Sequence, residues 1–338
     1  MKAVANPHRA KPKLVAEAPY PSIAAHRVAA LLEHCPAAAE TPLLDAASLA
    51  TQAGISALWV KDERTRMNLG SFKALGAAYV IARHASDLSE MPDATTLQGR
   101  TYVTASAGNH GMSVAAGARV FGANAVIYIA ETVPESFAIR LRDQGADVVR
   151  KGVDYAESMA AAAAAADANG WTLLSDSAWT GYTELPHILM EGYLQMAAEA
   201  VEQCPTVPTH IVLQAGVGGL ATAVAAYARK VWGNAPTIIV VEPDAAPALQ
   251  ASIEAGKCVT TTGPDSLLGR LDGQEPSIIA LNALARDADW FVTMSDAAVS
   301  AMLPAMAQAE MATTPSGGAG VAMVLTEQAR AAVGIGAD

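Results

Sequence analysis

Residues 68–76 read Asn68-Leu69-Gly70-Ser71-Phe72-Lys73-Ala74-Leu75-Gly76, and the apolar positions Ala77, Ala78, Val80 and Ile81 follow directly. A single lysine thus stands at the mouth of an apolar helix. An ammonium buried without a partner is costly, so such a lysine tends to give up its proton. The neutral amine is then a nucleophile toward carbonyl compounds. A lysine that snorkels from a helix end to solvent would leave the same local pattern. The remainder of the chain decides between the two.

On either side of this stretch the pattern alternates. Ala57–Asp62 predicts a short strand. From about residue 100, strands at 101–105, 125–129, 147–149 and 171–174 alternate with helices at 110–121, 134–144 and 155–168. A helix at 182–201, strands at 210–214, 237–241 and 290–294, and a helix at 219–231 continue the series. Apolar strands alternating with helices predict an α/β fold with parallel sheets covered by helices on both faces. Two series, about 100–175 and 205–295, predict two α/β units. Residues 1–40 read as an irregular lead with one short helix around Ala24–His34. The seven-alanine run Ala160–Ala166 is a tight-packing helix rather than a membrane feature.

Composition bounds the function. The chain has 338 residues, 52% hydrophobic and 16% charged, which is enough for a large core. Its net charge of -11 argues against nucleic acid or an anionic membrane as partner. Cys35, Cys204 and Cys258 are scattered and form no CxxC, so a disulfide framework or zinc site is not expected. The seven histidines show no metal-ligand spacing. No apolar run reaches the length of a membrane helix, and no signal-like segment opens the chain, so a cytoplasmic location is expected.

Two strand-to-helix turns carry chemistry. Ser106-Ala107-Gly108-Asn109-His110-Gly111 ends the strand at 101–105, at the carboxyl edge where parallel sheets bind ligands. Amides at the following helix N-terminus suit a carboxylate, and Asn109 offers an amide side chain. Gly216-Val217-Gly218-Gly219 follows an apolar strand and opens a helix, so its backbone can approach a phosphate closely. Gly216, Gly218 and Ala221 also spell G-x-G-x-x-A, with Glu242 at the end of the next strand. That outline matches a dinucleotide fingerprint and keeps a nicotinamide oxidoreductase open as an alternative. Asp176 follows a strand end, as a ligand-face carboxylate or as a helix N-cap. Thr313, Thr314 and Ser316 form a hydroxyl-rich turn before a small-residue helix.

Ser71-Phe72-Lys73, Ser106–Gly111 and the Gly216–Gly219 loop, in this order, resemble the fold type II pyridoxal-phosphate enzymes (tryptophan synthase β-like), which include serine and threonine dehydratases. Lys61-Asp62-Glu63, Leu75-Gly76, Asp176–Thr183 and Val241–Asp244 draw the resemblance toward the diaminopropionate ammonia-lyase branch. The resemblance implies pyridoxal 5'-phosphate as cofactor, held by Lys73 as an imine. It implies Asn109 on the ring hydroxyl, Gly216, Val217, Gly218 and Gly219 on the phosphate, and Ser316 near the ring. Ser106, Ala107, Gly108 and His110 would meet the substrate, and Lys73 and Asp176 would be catalytic. The implied activity is β-elimination from a small L-amino acid, giving a 2-oxo acid and ammonia. A 3-hydroxy-amino-acid dehydratase is the alternative within the fold, and an inactive binding protein is the alternative outside enzymology. Relatives suggest a homodimer, and a large discontinuous domain (1–80 with 180–338) beside a small one (81–179). Two departures stand out. Ala107 occupies a place where the ammonia-lyases carry a second aspartate. The chain also ends at Gly334–Asp338 without the family's further strand, so that a ring-nitrogen partner would have to come from Thr313, Thr314 or Ser316.

Overall fold

The computed structural model describes residues 1–336; Ala337 and Asp338, the end of the short tail noted above, lie outside the described residues. Ten strands run through the described residues: β1 (Lys2–Ala5), β2 (Leu43–Asp45), β3 (Trp59–Lys61), β4 (Thr101–Ala105), β5 (Asn124–Ile129), β6 (Asp147–Arg150), β7 (Thr172–Leu173), β8 (His210–Gln214), β9 (Thr237–Pro243) and β10 (Trp290–Met294). They form one four-stranded sheet in the order β6-β5-β4-β7, a second in the order β1-β10-β9-β8, and a β2-β3 ribbon. The two α/β series legible in the sequence are thus two separate sheets.

The first sheet is parallel throughout. The second is parallel over β8, β9 and β10, with β1 added antiparallel at its edge. This edge strand corrects the reading of residues 1–40 as an irregular lead. Four residues, Lys2-Ala3-Val4-Ala5, carry too little periodicity to announce a strand. Their partners, Trp290–Thr293, lie at the other end of the chain.

The central parallel strands β4, β5, β9 and β10 are mostly buried apolar runs, as covered sheets require. Ile238, Ile239, Val240 and Val241 of β9 are all fully buried. The alanine-rich helix Tyr155–Asn169 lies on the first sheet, with Ala162 and Ala166 packed against Val103 and Ala105 of β4. Alanine allows that close approach at low side-chain entropy cost. One core cluster is continuous from the lysine stretch through the first sheet to later helices: Leu75, Val80, Ile81, Ile127, Leu141, Leu189, Tyr193 and Ala223 belong to it.

Two elements depart from the sequence reading. The helix anticipated over 182–201 is two helices, Glu184–Gly192 and Leu194–Gln203, meeting at Tyr193. Tyr193 keeps helical dihedrals (φ −68°, ψ −13°), and beside it the lysine turn lies against the backbone, where a Cβ at Gly192 would be 2.0 Å from the Leu75 carbonyl oxygen. Lys73 itself sits in a short 3-10 turn, Phe72–Leu75, rather than in the apolar helix, which begins at Ala77. Near the end of the chain a helix Pro315–Leu325 is followed by a short helix Glu327–Ala332, and among the described residues no strand follows β10.

Candidate active site

The approach to Lys73 is a strained run of backbone. Met67, Asn68 and Gly70 all have positive φ, at 48°, 58° and 77°. Left-handed non-glycine residues are costly and cluster where a side chain must be aimed. Ser71 then caps the turn, its hydroxyl accepting the Lys73 N–H at 3.3 Å. Ala74 and Leu75 are buried behind the lysine, which leaves its amine facing a cavity of about 1550 Å³ between the two sheets.

Asp176 comes from the loop after β7. Tyr182 shapes this loop: its Oη accepts the Ser175 N–H at 3.0 Å and donates to the Leu173 carbonyl at 2.9 Å. The Ser177 N–H donates to Ser175 Oγ, and the Ala178 N–H to Ser277 Oγ. No helix starts at Asp176; the next one begins at Glu184 after Thr183, so the N-cap reading is excluded. The carboxylate reaches across the cavity instead and pairs with Lys73 Nζ.

This pair revises the expected charge of the lysine. Burial works to lower the Lys73 pKa, but the Asp176 carboxylate outweighs it through charge and hydrogen bonding, and the net shift is well above the ordinary value. Burial likewise works to raise Asp176, and the Lys73 ammonium, His110 and hydrogen bonds overcome it to hold the carboxyl well below its usual range. Lys73 is therefore an ammonium in this state, stored against a partner that local sequence does not contain.

The turn Ser106–Gly111 lies opposite. Gly108 is the N-cap of the helix Asn109–Val120 and no side chain caps it, so the first amides of that helix are free for a ligand. Ser106, Ala107, Gly108, Asn109 and His110 all line the cavity. Gly111 is obligatory, since a Cβ there would meet the Ser106 carbonyl oxygen at 2.2 Å. His110 is 5% exposed and its Nε2 lies 2.8 Å from the Leu174 carbonyl, tying this turn to the end of β7. Nε2 must carry the proton in that contact, which leaves Nδ1 as a bare buried acceptor with no partner among the described residues. Burial first, and then the nearby lysine, hold its pKa low against the pull of Asp176.

Gly216, Val217, Gly218 and Gly219 close the cavity floor. Gly218 has φ 99° and precedes the helix Gly219–Trp232, whose N-terminus has no side-chain cap. A Cβ at Gly218 would lie 2.7 Å from Ala280 Cβ, and one at Gly216 would lie 3.0 Å from Leu271 Cα. Close packing at both glycines fixes the loop where it lines the cavity. Ser316 is 5% exposed, lines the same cavity, and its Oγ accepts the Arg270 N–H at 3.1 Å. Thr314 Oγ1 instead caps the helix Pro315–Leu325 by accepting the Gly317 N–H.

An amine, a glycine-built anion cradle and an uncapped helix N-terminus share one cavity. This donor set fits a phosphorylated carbonyl compound that carries a second, amino-acid partner. Glu242, by contrast, is fully buried, and its two carboxylate oxygens accept the Leu249 and Gln250 N–H groups at 2.7 and 2.8 Å. It is the N-terminal anchor of the helix Ala248–Ala255 and is not available to a ribose, which removes the acidic half of the dinucleotide fingerprint.

Comparison with known proteins decides between the readings. The sequence pattern described as "Pyridoxal-phosphate dependent enzyme" matches residues 35–337. The chain belongs to that family. Its cofactor is pyridoxal 5'-phosphate, and the nicotinamide alternative is overturned. The chain is 34% identical over 293 residues to diaminopropionate ammonia-lyase of Salmonella typhimurium, covering 80% of this chain and 72% of that one. It is 33% identical over 224 residues to the mouse L-serine dehydratase/L-threonine deaminase, covering 65% and 62%. The crystal structure of Escherichia coli diaminopropionate ammonia-lyase in complex with D-serine superposes with a TM-score of 0.88 at 26% identity, over 100% of this chain and 91% of that one.

Sequence reasoning missed two tyrosines of this pyridoxal-phosphate enzyme's site. Tyr155, at the start of the helix Tyr155–Asn169, lines the cavity. It is 59% exposed, so its ring borders the open part of that cavity rather than the core. Tyr193 stands behind the lysine at the break between two helices. Neither belongs to a glycine motif, and only the packing brings them to the lysine.

Proposed function

We propose that this pyridoxal-phosphate enzyme is an ammonia-lyase that carries out β-elimination on a small L-amino acid resembling 2,3-diaminopropionate. The observation that carries the reading is the Lys73–Asp176 pair, set between a glycine cradle and an uncapped helix N-terminus. The bound cofactor supplies an electron-withdrawing ring that takes up the charge left when the Cα–H bond breaks.

The chain's own residues supply the rest. Gly216–Gly219 amides would hold the phosphate, Asn109 would hold the ring hydroxyl, and Ser316 would stand near the ring. Ser106 and the amides after Gly108 hold the substrate carboxylate. Lys73 would carry the cofactor and, as a free amine, would take the α-proton. Asp176 is placed to hold a β-ammonium or to protonate a departing β-group. Breaking Cα–H and Cβ–N forms a Cα=Cβ bond and releases ammonia. The enamine product takes up one water and loses a second ammonia, giving a 2-oxo acid with no change in overall redox state.

Ala107 sets the stereochemistry. Its methyl has no ionisable proton, so the cavity wall opposite Lys73 offers no acid or base at that position, and L-substrates are preferred. A dehydratase acting on a 3-hydroxy amino acid would use the same residues. The acidic Asp176, suited to a charged β-amine, favours the diamine. A homodimer and a cytoplasmic location remain part of the proposal; no helix among the described residues is long and apolar enough to cross a membrane. A panel of D- and L-forms of diaminopropionate, serine and threonine, scored for 2-oxo acid and ammonia, tests the reading. Two ammonia per 2-oxo acid from L-diaminopropionate supports it, and equal rates on D- and L-forms would contradict it.

A further inference from the structure

Tyr193 is 1% exposed, and its hydroxyl has no hydrogen-bond partner among the described residues. A buried phenol O–H normally finds a partner, so an unpaired one calls for a reason. The surrounding packing is built to hold this ring in place. Its edge meets the Phe72 ring at 5.0 Å and 71°. A Cβ at Gly76 would lie 2.8 Å from its Oη and its Cε1, and one at Gly219 would lie 3.4 Å from its Cε2. The glycine just after the lysine turn therefore leaves room for this tyrosine, while Gly219 of the phosphate cradle meets it only at ordinary contact distance. The helix carrying it is interrupted there, with Gly192 pressed against the Leu75 carbonyl.

Lys73 Nζ lies 6.0 Å from the centroid of the Tyr193 ring. The elements packed on the ring present few charges to it. The lysine turn offers Lys73, the loop after β7 offers Asp176, and Gly76, Gly219, Phe72 and Met190 offer none. Burial, opposed by Lys73 and aided by Asp176, pushes the phenol up to about 12, so it keeps its proton through the neutral range. When the ammonium is paired with Asp176, the hydroxyl lies close to Lys73 but makes no hydrogen bond of normal geometry. A neutral Lys73 amine has a lone pair that Asp176 cannot serve, and the phenol O–H can.

We infer that Tyr193 is a positioning residue for Lys73, its buried hydroxyl donating to the neutral amine that forms once Lys73 leaves Asp176. The inference deepens the role proposed for Lys73. The hydroxyl would hold the free amine in the orientation it needs to take the α-proton, and would favour the neutral form.

The test is Tyr193→Phe, which removes the hydroxyl and keeps the ring. Because that hydroxyl is unpaired in the resting state, the cofactor-free variant should melt no lower than the parent. The first readout is competitive amine labelling of Lys73 in cofactor-free protein, followed by peptide mass spectrometry across pH. Loss of one neutral hydrogen bond to the free amine should slow labelling roughly fivefold at a fixed pH below the lysine pKa. In the holoenzyme, kcat should fall by a similar factor with KM little changed, and the absorbance pH profile should move with it. A labelling curve that superposes on the parent's would overturn the inference, whatever happens to kcat. Labelling of the cofactor-free protein does not depend on where the cofactor attaches, so failure here and failure of the Lys73 assignment are separate results.

Discussion

Replacing Asp176 by asparagine removes the charge that keeps Lys73 protonated and leaves the shape of the site nearly intact. Lys73 and Asp176 are 22% and 18% exposed, so solvent screens them only in part. Breaking a buried pair by removing one partner ordinarily costs about 3–5 kcal/mol, because the other charge is stranded. Lys73 has an escape, since it can release its proton. From an ordinary value of 10.5, deprotonation at pH 8 costs about 3.4 kcal/mol, at roughly 1.36 kcal/mol per unit, which caps the penalty. The cap falls as pH rises. In the variant the folded chain would bind one proton fewer than the unfolded chain between the depressed lysine pKa and 10.5. Stability should then climb by about 1.4 kcal/mol per pH unit through that window. The parent has no such slope from this pair: its folded lysine pKa is raised and its aspartate pKa lowered, so both groups are charged, folded or unfolded, between their ordinary values. Urea unfolding of cofactor-free parent and Asp176→Asn at pH 7, 8 and 9 measures this. A stability difference that does not change with pH would show that Lys73 stays charged without Asp176, and the electrostatic account of the pair would be wrong.

Other consequences follow from the packing. Gly218→Ala puts a Cβ 2.7 Å from Ala280 at φ 99°, so it should destabilise the protein by about 1–3 kcal/mol and weaken cofactor binding, whereas Gly219→Ala meets only an ordinary contact at 3.4 Å and should be milder; melting curves and cofactor titration separate them. Glu199 is 2% exposed and pairs with Arg66 at 2.6 Å and Lys61 at 2.8 Å, so Glu199→Gln should cost about 3–5 kcal/mol in urea unfolding. Burial would raise the Glu199 pKa, but Arg66 and Lys61 hold it at about 2, so the parent should lose this contribution as pH falls from 4.5 toward 2, and the variant should lack that part of the acid limb. Ala107→Asp should gain turnover of D-substrates relative to the parent, read as a ratio of D- to L-rates.

The sequence announced the elements built from short apolar runs between turns. The strands Thr101–Ala105, His210–Gln214 and Trp290–Met294 are short apolar runs, and the structure places each of them at those bounds. The glycines of the cradle were legible for a related reason: a positive φ or a close contact admits little else. What was not legible depended on partners far along the chain. β1 exists because Val4 and Ala5 find Phe291 and Trp290. The fit of the Leu75 carbonyl against Gly192, beside the junction at Tyr193, likewise joins segments far apart in the chain. The charge of Lys73 was misjudged from its apolar neighbours, because its carboxylate partner stands 103 residues away. Glu242 looked like a ribose ligand by spacing, and only the fold showed both its oxygens engaged by backbone amides.

The attachment point of the cofactor tests the account most directly. Holoenzyme reduced with borohydride, digested and mapped by mass spectrometry should carry the cofactor on Lys73, and Lys73→Ala should carry none while keeping its fold and losing turnover. Label on Lys61 or Lys230, or a Lys73→Ala protein that still releases ammonia and 2-oxo acid at the parent's rate, would contradict it.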